Sequence, residues 1–171
     1  ALKEAAAPQF RNYAQQIVKN SGALSGELTK FDFVLIGGGS QNHMVWIDLT
    51  NKGVDGWTVA WACEAAGIIC NRQTIPFDKK PPYYPSGLRL GTPALTTRGM
   101  KEKEMVLIAG WLNDVVEHLQ KASLWDVGNK NKEKYQLARK GFKQKVFRDK
   151  YLLRIKRLVK NLCVQFPIFN G

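Results

Sequence analysis

A polar stretch rich in proline and glycine, residues 71–99, divides two segments that both carry regular hydrophobic periodicity. No other feature restricts the fold as much, because loops of this kind, carried by a rigid scaffold, are where binding groups sit. Pro81, Pro82 and Pro85 stiffen the approach to a short run, Leu88-Arg89-Leu90. Strand alternation puts both leucines on one face of that run and Arg89 on the other. An arginine so held suits a small carboxylate, since its planar fork bonds both oxygens and never loses its charge. The same pattern also describes a solvated arginine on a strand face, and spacing alone leaves both readings open.

The flanking segments predict the scaffold. Over residues 2–25, Phe10, Tyr13, Ala14, Ile17, Val18 and Leu24 recur at helical steps, with Pro8 marking a kink or the true start. Residues 31–36 read as a strand rich in aromatic and β-branched side chains. Gly37-Gly38-Gly39-Ser40 lacks the Lys-Ser/Thr of a phosphate loop and leads into a second strand, 44–49, rather than a helix. It is therefore expected to be a hairpin turn. His43, with no carboxylate or nucleophile at a dyad spacing, reads as a packed or turn-bonded residue and not as a general base. Asp55 can cap a helix running to 66, with Trp57, Val59, Ala60, Cys63 and Ala66 buried and Gly67 closing it. Residues 68–70 read as a short buried strand. Met105, Ile108, Leu112, Val115 and Leu119, joined by Trp111, make a helical stripe over 101–120. A break is expected over 123–131, carrying Gly128. One last helix follows over 132–163, with Phe147, Tyr151, Ile155, Leu158 and Leu162 inward and Gly141 as a possible interruption. Residues 166–169 form a hydrophobic end-piece. The sum is α+β: a small, mostly antiparallel sheet covered by helices.

At 44% hydrophobic and 23% charged residues, the 171-residue chain has an ordinary globular composition and the length for a real core. No apolar run approaches the roughly 20 residues that span a bilayer, so no membrane partner is expected. Ala1-Leu2-Lys3-Glu4 has neither an initiator Met nor a signal-peptide layout, which leads one to expect a piece of something longer. Cys63, Cys70 and Cys163 lack metal-ligand spacing and read as small buried hydrophobes in a reducing, cytoplasmic setting. No metal site is expected. The charge is uneven: of a net +12, residues 123–171 contribute +10, with 13 Lys and Arg against Asp126, Glu133 and Asp149. Such a tail is either the solvated face of a helix or a surface for polyanions. Nucleic acid would then bind at most non-specifically, because no stacking platform accompanies the charge. The expected division is a core over 1–122 and a basic helical extension over 123–171 that packs on it.

Three motifs carry a resemblance. Thr74-Ile75-Pro76-Phe77-Asp78 followed by Ser86-Gly87-Leu88-Arg89-Leu90-Gly91-Thr92-Pro93-Ala94-Leu95-Thr96-Thr97-Arg98-Gly99 resembles serine hydroxymethyltransferase. Gly38-Gly39-Ser40-Gln41-Asn42-His43-Met44 is similar to that family's Gly-Gly-Thr-x-Asn-His-Leu hairpin, and Leu162-Cys163-Val164-Gln165-Phe166-Pro167-Ile168-Phe169 to its Leu-Cys-x-x-Phe-Pro-Leu-Tyr terminus. What they match is only the last two fifths or so of such an enzyme.

The resemblance implies the C-terminal domain of a fold-type I pyridoxal-phosphate enzyme that interconverts serine and glycine and passes a one-carbon unit to tetrahydrofolate. It implies Arg89 as the residue gripping the substrate carboxylate, and the loop 73–83 as a folate contact. There Gln73 replaces the family's asparagine, and Pro81-Pro82-Tyr83 its Ser-Pro-Phe triplet, so the folate side looks altered. Thr97 and Arg98 are read as a helix cap and a partner for an acid. The cofactor lysine and its acidic partner belong to the family's N-terminal domain, and nothing here matches their motifs. The isolated chain is thus expected to be inactive and to bind no pyridoxal phosphate. Its expected partners are its own N-terminal cofactor domain, a second subunit in the full-length homodimer, serine or glycine, and folate. The other reading is a free-standing remnant that works as a binding or assembly module through its basic tail.

Overall fold

A computed structural model describes residues 1–121 and 132–168. The chain begins with a short helix, α1 (Leu2–Ala5), and a long one, α2 (Pro8–Lys30), whose first turn accommodates Pro8 because the missing amide has no helical acceptor there. Pro8 is a start and not a kink. Strands β1 (Val34–Leu35) and β2 (Met44–Asp48) then pair antiparallel, with residues 36–43 as their connection. Helix α3 (Gly56–Ala65) starts at Asp55, whose carboxylate accepts the Thr58 amide, and closes at Gly67 with φ of 81°.

Strand β3 (Asn71–Gln73) and strand β4 (Gly87–Gly91) bracket the central loop. A five-residue helix, α4 (Pro93–Thr97), leads into α5 (Glu102–Lys121). Two helices, α6 (Lys132–Val146) and α7 (Lys150–Gln165), complete the described chain.

The fold is α+β. Its four-stranded sheet runs in the order β1-β2-β4-β3 and is antiparallel throughout. Strand alternation points Leu35, Val45, Ile47, Leu88 and Leu90 inward. Helices α2 and α3 lie against the sheet, and α5 packs along α2 and against α3, so that Leu24, Leu28, Met105, Leu112, Leu119 and Trp57 fill one core. Each fully buried leucine contributes roughly 1.5–3 kcal/mol of transfer free energy. Gly87 sits where the sheet is tightest: a Cβ there would come within 2.6 Å of Ile75 and 2.8 Å of the Ile47 carbonyl.

The structure departs from the pattern in four places. The expected strand over 31–36 shrinks to two residues. The amides of Phe31, Asp32 and Phe33 turn back onto the carbonyls of Glu27, Leu28 and Thr29, with Asp32 left-handed at φ 58°. Phe33 is buried by this helix-end turn and not by a ladder. The expected strand over 68–70 is likewise absorbed by a helix end, since the Ile68 amide bonds the Cys63 carbonyl; Ile69 is 81% exposed and pairing starts at Asn71.

The single helix expected over 132–163 is two. Gly141 lies inside α6, and the break falls at 147–149, where Asp149 accepts from the amides of Tyr151 and Leu152 to start α7. The turn resets the inward face to Phe142 and Val146 in α6 and to Leu152, Ile155 and Leu162 in α7, leaving Phe147, Tyr151 and Leu158 outward. Finally, Arg98 pairs with no acid among the described residues. Its guanidinium donates to the carbonyls of Cys163 and Phe166, each at 2.7 Å, and ties the end of α7 to the turn after α4. The break expected over 123–131 and the end-piece residue Phe169 lie outside the described residues.

Candidate functional site

The alternation of β4 buries Leu88 and Leu90 and leaves Arg89 on the outer face, between its cross-strand neighbours Trp46 and Asn71. Register fixes this orientation: a slip by one residue would turn Arg89 into the core and both leucines out. Arg89 opens onto a hollow of about 360 Å³ that it shares with Trp61 and Glu64 from α3 and with Arg72 and Gln73 from β3. Two residues singled out from the sequence for different roles, Arg89 and Gln73, therefore face one space. Glu64, on the exposed side of α3, brings the only carboxylate among its lining residues.

The loop between β3 and β4 is held by Asp78. Its carboxylate accepts from the amides of Ile75 (3.3 Å), Lys80 (3.0 Å) and Ser86 (2.8 Å) and from the Ser86 hydroxyl (2.8 Å). Burial pushes this carboxyl upward, but the donors from Ser86, Lys80 and Ile75 outweigh it and hold the group below its ordinary value. The far end of the loop is fastened to α3, where the Gly56 amide bonds the Pro85 carbonyl at 2.8 Å. A Cβ at Gly56 would collide with the Gly87 carbonyl oxygen, so only glycine lets the helix start this close to β4.

Pro81, Pro82 and Tyr83 stand exposed along the same loop. Tyr83 is 61% exposed; it packs edge-on against Tyr84 at 4.7 Å and carries the Arg72 guanidinium 4.6 Å from its ring centre. Phe77, with φ of 57°, is fully exposed at the loop's other corner. Asp78, Arg72 and Glu64 were not singled out from the sequence. Only Asp78 carried a signal, as the last residue of the Thr74–Asp78 motif with Ser86 eight positions on.

His43 is exposed, and it is its carbonyl that takes part in structure, accepting the Thr92 amide. Cys63 is buried; a hydrogen bond with Cys70 and burial both raise its thiol, the opposite of an activated nucleophile. Among the described residues no group of three or more His, Cys, Asp and Glu could hold a metal ion, and no helix is long and apolar enough to cross a membrane. A pyridoxal cofactor needs an ε-amino group for its Schiff base. Among the described residues no lysine lines the hollow beside Arg89, so the residues there do not fit that group.

Fold and site together define a small α+β module that presents an arginine and a fastened polar loop on the open face of an antiparallel sheet. The family model described as Serine hydroxymethyltransferase matches residues 1–112. Over 121 residues the chain is 50% identical to a protein named Serine hydroxymethyltransferase from Acidothermus cellulolyticus, an overlap that covers 71% of this chain and 28% of that relative. The chain belongs to the serine hydroxymethyltransferase family. It spans little more than a quarter of the length of that curated relative.

Proposed function

We propose that this chain serves as the C-terminal domain of a serine hydroxymethyltransferase, a transferase that exchanges serine and glycine with transfer of a one-carbon unit to tetrahydrofolate. The observation that carries the reading is Arg89. A guanidinium held outward on a strand, beside an open hollow, would take both oxygens of an amino-acid carboxylate. Gln73, Pro81, Pro82 and Tyr83 would form the folate side of the same space. In this reading pyridoxal phosphate is held by a separate cofactor domain, and residues 1–122 act as the small domain that completes the pocket while 123–171 form an extension. The working assembly is a cytoplasmic homodimer. This chain's own residues bind and orient; no proton transfer or bond cleavage is assigned to them, and alone they are inactive.

The test is a serine titration of the full-length protein, unaltered and as Arg89→Ala, read by the cofactor's absorbance. Loss of serine binding with the cofactor band retained supports the reading. Serine binding at unaltered affinity in Arg89→Ala refutes it.

A further inference from the structure

Helix α7 lies beyond the residues that the family model matches, and its two faces are chemically opposite. One face buries Leu152, Ile155 and Leu162 in the core. The other carries Lys150, Leu153, Arg157 and Lys160 at steps of three and four, with Lys156 beside them. These five residues line a shallow hollow of about 510 Å³ on the outside of the molecule. All four cations are exposed, and among the described residues none of them makes an ion pair or a side-chain hydrogen bond. Lys145 and Arg148, exposed just before α7, extend the positive field.

This charge has no use inside the chain. From residue 134 to residue 168 the sequence holds one acid, Asp149, and its carboxylate is taken by His118 and by the amides that start α7. Elsewhere cations stand beside acids: Lys30 with Glu27, Lys103 with Glu104 and Lys121 with Glu117. Lys150 and Lys160 bracket about 15 Å of helix axis, a length over which one strand of a duplex carries about four phosphates. The number and spread of the cations thus complement a phosphodiester backbone. An anionic bilayer would also ask for an outward apolar face. The continuous apolar stripe of α7 is already buried in the core, and the outward Leu153 and Val164 are separated by cations.

We propose that the outer face of α7 is a docking surface for the sugar-phosphate backbone of nucleic acid, bound without regard to sequence. Lys150, Lys156, Arg157 and Lys160 each neutralise a phosphate, and the release of the counterions held there drives the association. No base is read, because no aromatic side chain is among the residues lining the hollow to serve as a stacking platform. The residues lining the Arg89 hollow include none from α7, so the two surfaces are independent.

The experiment uses the full-length protein and a short fluorescent DNA duplex of mixed sequence, with affinity read by anisotropy from low to physiological salt. Four neutralised phosphates give a slope of log affinity against log salt of about −3 to −4. Two triple variants then remove the same charge from different places. One is Lys150→Gln with Arg157→Gln and Lys160→Gln. The other is Lys19→Gln with Lys101→Gln and Lys103→Gln, whose charges stand near Glu102 and Glu104. The α7 triple is expected to weaken duplex binding by about tenfold or more and to flatten the slope by about 3, while the second triple changes neither. Single replacements on α7, which leave the fold intact, should each flatten the slope by about 1. Melting temperature and serine affinity should stay those of the unaltered protein. Equal weakening by the two triples makes the attraction one of net charge and overturns the surface, as do single replacements that leave the slope unchanged. An unaltered protein that leaves the duplex free at low salt overturns it as well. Tighter binding to vesicles of mixed anionic and neutral phospholipid than to the duplex, lost in the α7 triple, assigns the face to a membrane surface instead and refutes the proposal.

Discussion

The central loop with its strands and the two C-terminal helices are stabilised by different chemistry. Between β3 and β4 the chain is held by directional bonds: an antiparallel register, a carboxylate with four donors, and two glycines at close backbone approaches. Helices α6 and α7 are held mainly by apolar and stacked contacts, with Arg98 and His118 adding polar ties at the two ends of α7. Phe142, Val146, Leu152, Ile155 and Leu162 face the core, while α7 holds no acidic residue among its 16 and turns most of its cations to water. The first arrangement fixes positions to a fraction of an ångström, as a recognition site requires. The second fixes a surface and tolerates change on its outer side.

The contrast is broken most sharply on β4 itself, where two neighbours should fail in opposite ways. In the full-length protein, Arg89→Ala should cost roughly 3–5 kcal/mol of amino-acid affinity, because a bidentate charge-assisted pair is lost and a desolvated charge is stranded. Its melting temperature should not move. Leu88→Ala should lower stability by about 2–5 kcal/mol through the cavity it leaves, with serine bound normally by the folded fraction. Thermal melting and serine titration on both variants check the pair. Melting of the Arg89 variant with normal serine binding would make Arg89 structural.

Asp78 comes next. Replacing it with Ala strands three amides and a hydroxyl at a half-buried site, so a loss of about 1–3 kcal/mol is expected in a denaturant titration. The pH dependence has a definite sign. Because the folded carboxyl lies below its ordinary value of 3.8, its contribution is complete above that value and disappears as pH falls through the folded one. Asp78→Asn should therefore flatten the acid limb of the stability profile, and an unchanged limb would remove Asp78 from the account.

Asp149 makes the corresponding test in the C-terminal helices. Partial burial raises its carboxyl, but the bond from His118 at 3.0 Å and the amides of Leu152 and Tyr151 together lower it. As a cap, Asp149→Ala should cost about 0.5–2 kcal/mol and fray α7 first, visible as faster amide exchange over its first turn. The smallest effect belongs to the outer cations of α7. Lys150→Ala, Arg157→Ala and Lys160→Ala should each change stability by no more than about 0.5 kcal/mol. Any affinity of the chain for a polyanion should fall with each replacement and with salt.

Much of this was legible in the residues. The Leu88-Arg89-Leu90 alternation, the Asp55 cap, the Gly67 terminus and the α5 stripe all follow from local rules, and each has its expected place. The misplaced strands at 31–36 and 68–70 share one cause. Both lie just past a helix, and the helix end took their amides before a ladder could, which β-propensity alone does not register. The broken C-terminal helix is a similar case: Asp149 reads as an unremarkable polar residue until its carboxylate is seen under two amides. At the hollow, the outward stance of Arg89 was legible from strand alternation, but its sharing one space with Gln73 was not. Arg72 and Glu64 were not, since local spacing does not show which strand and helix faces will share one hollow.

The bonds from Arg98 to the carbonyls of Cys163 and Phe166 bear on how the chain matures during synthesis. They join positions 65 and 68 residues apart, and the acceptors leave the ribosome well after the donor. A nascent chain emerges from its N-terminus, so α2, the sheet and α5 are available well before α7 can close over them. Until it does, Leu90, Met100, Trp111 and their neighbours face an open apolar hollow that Val159 and Leu162 finally line. Closing so long a loop is slow compared with forming a helix. The interval between those two events is when the chain is most exposed to aggregation, and its length is set by the translation of the basic helices.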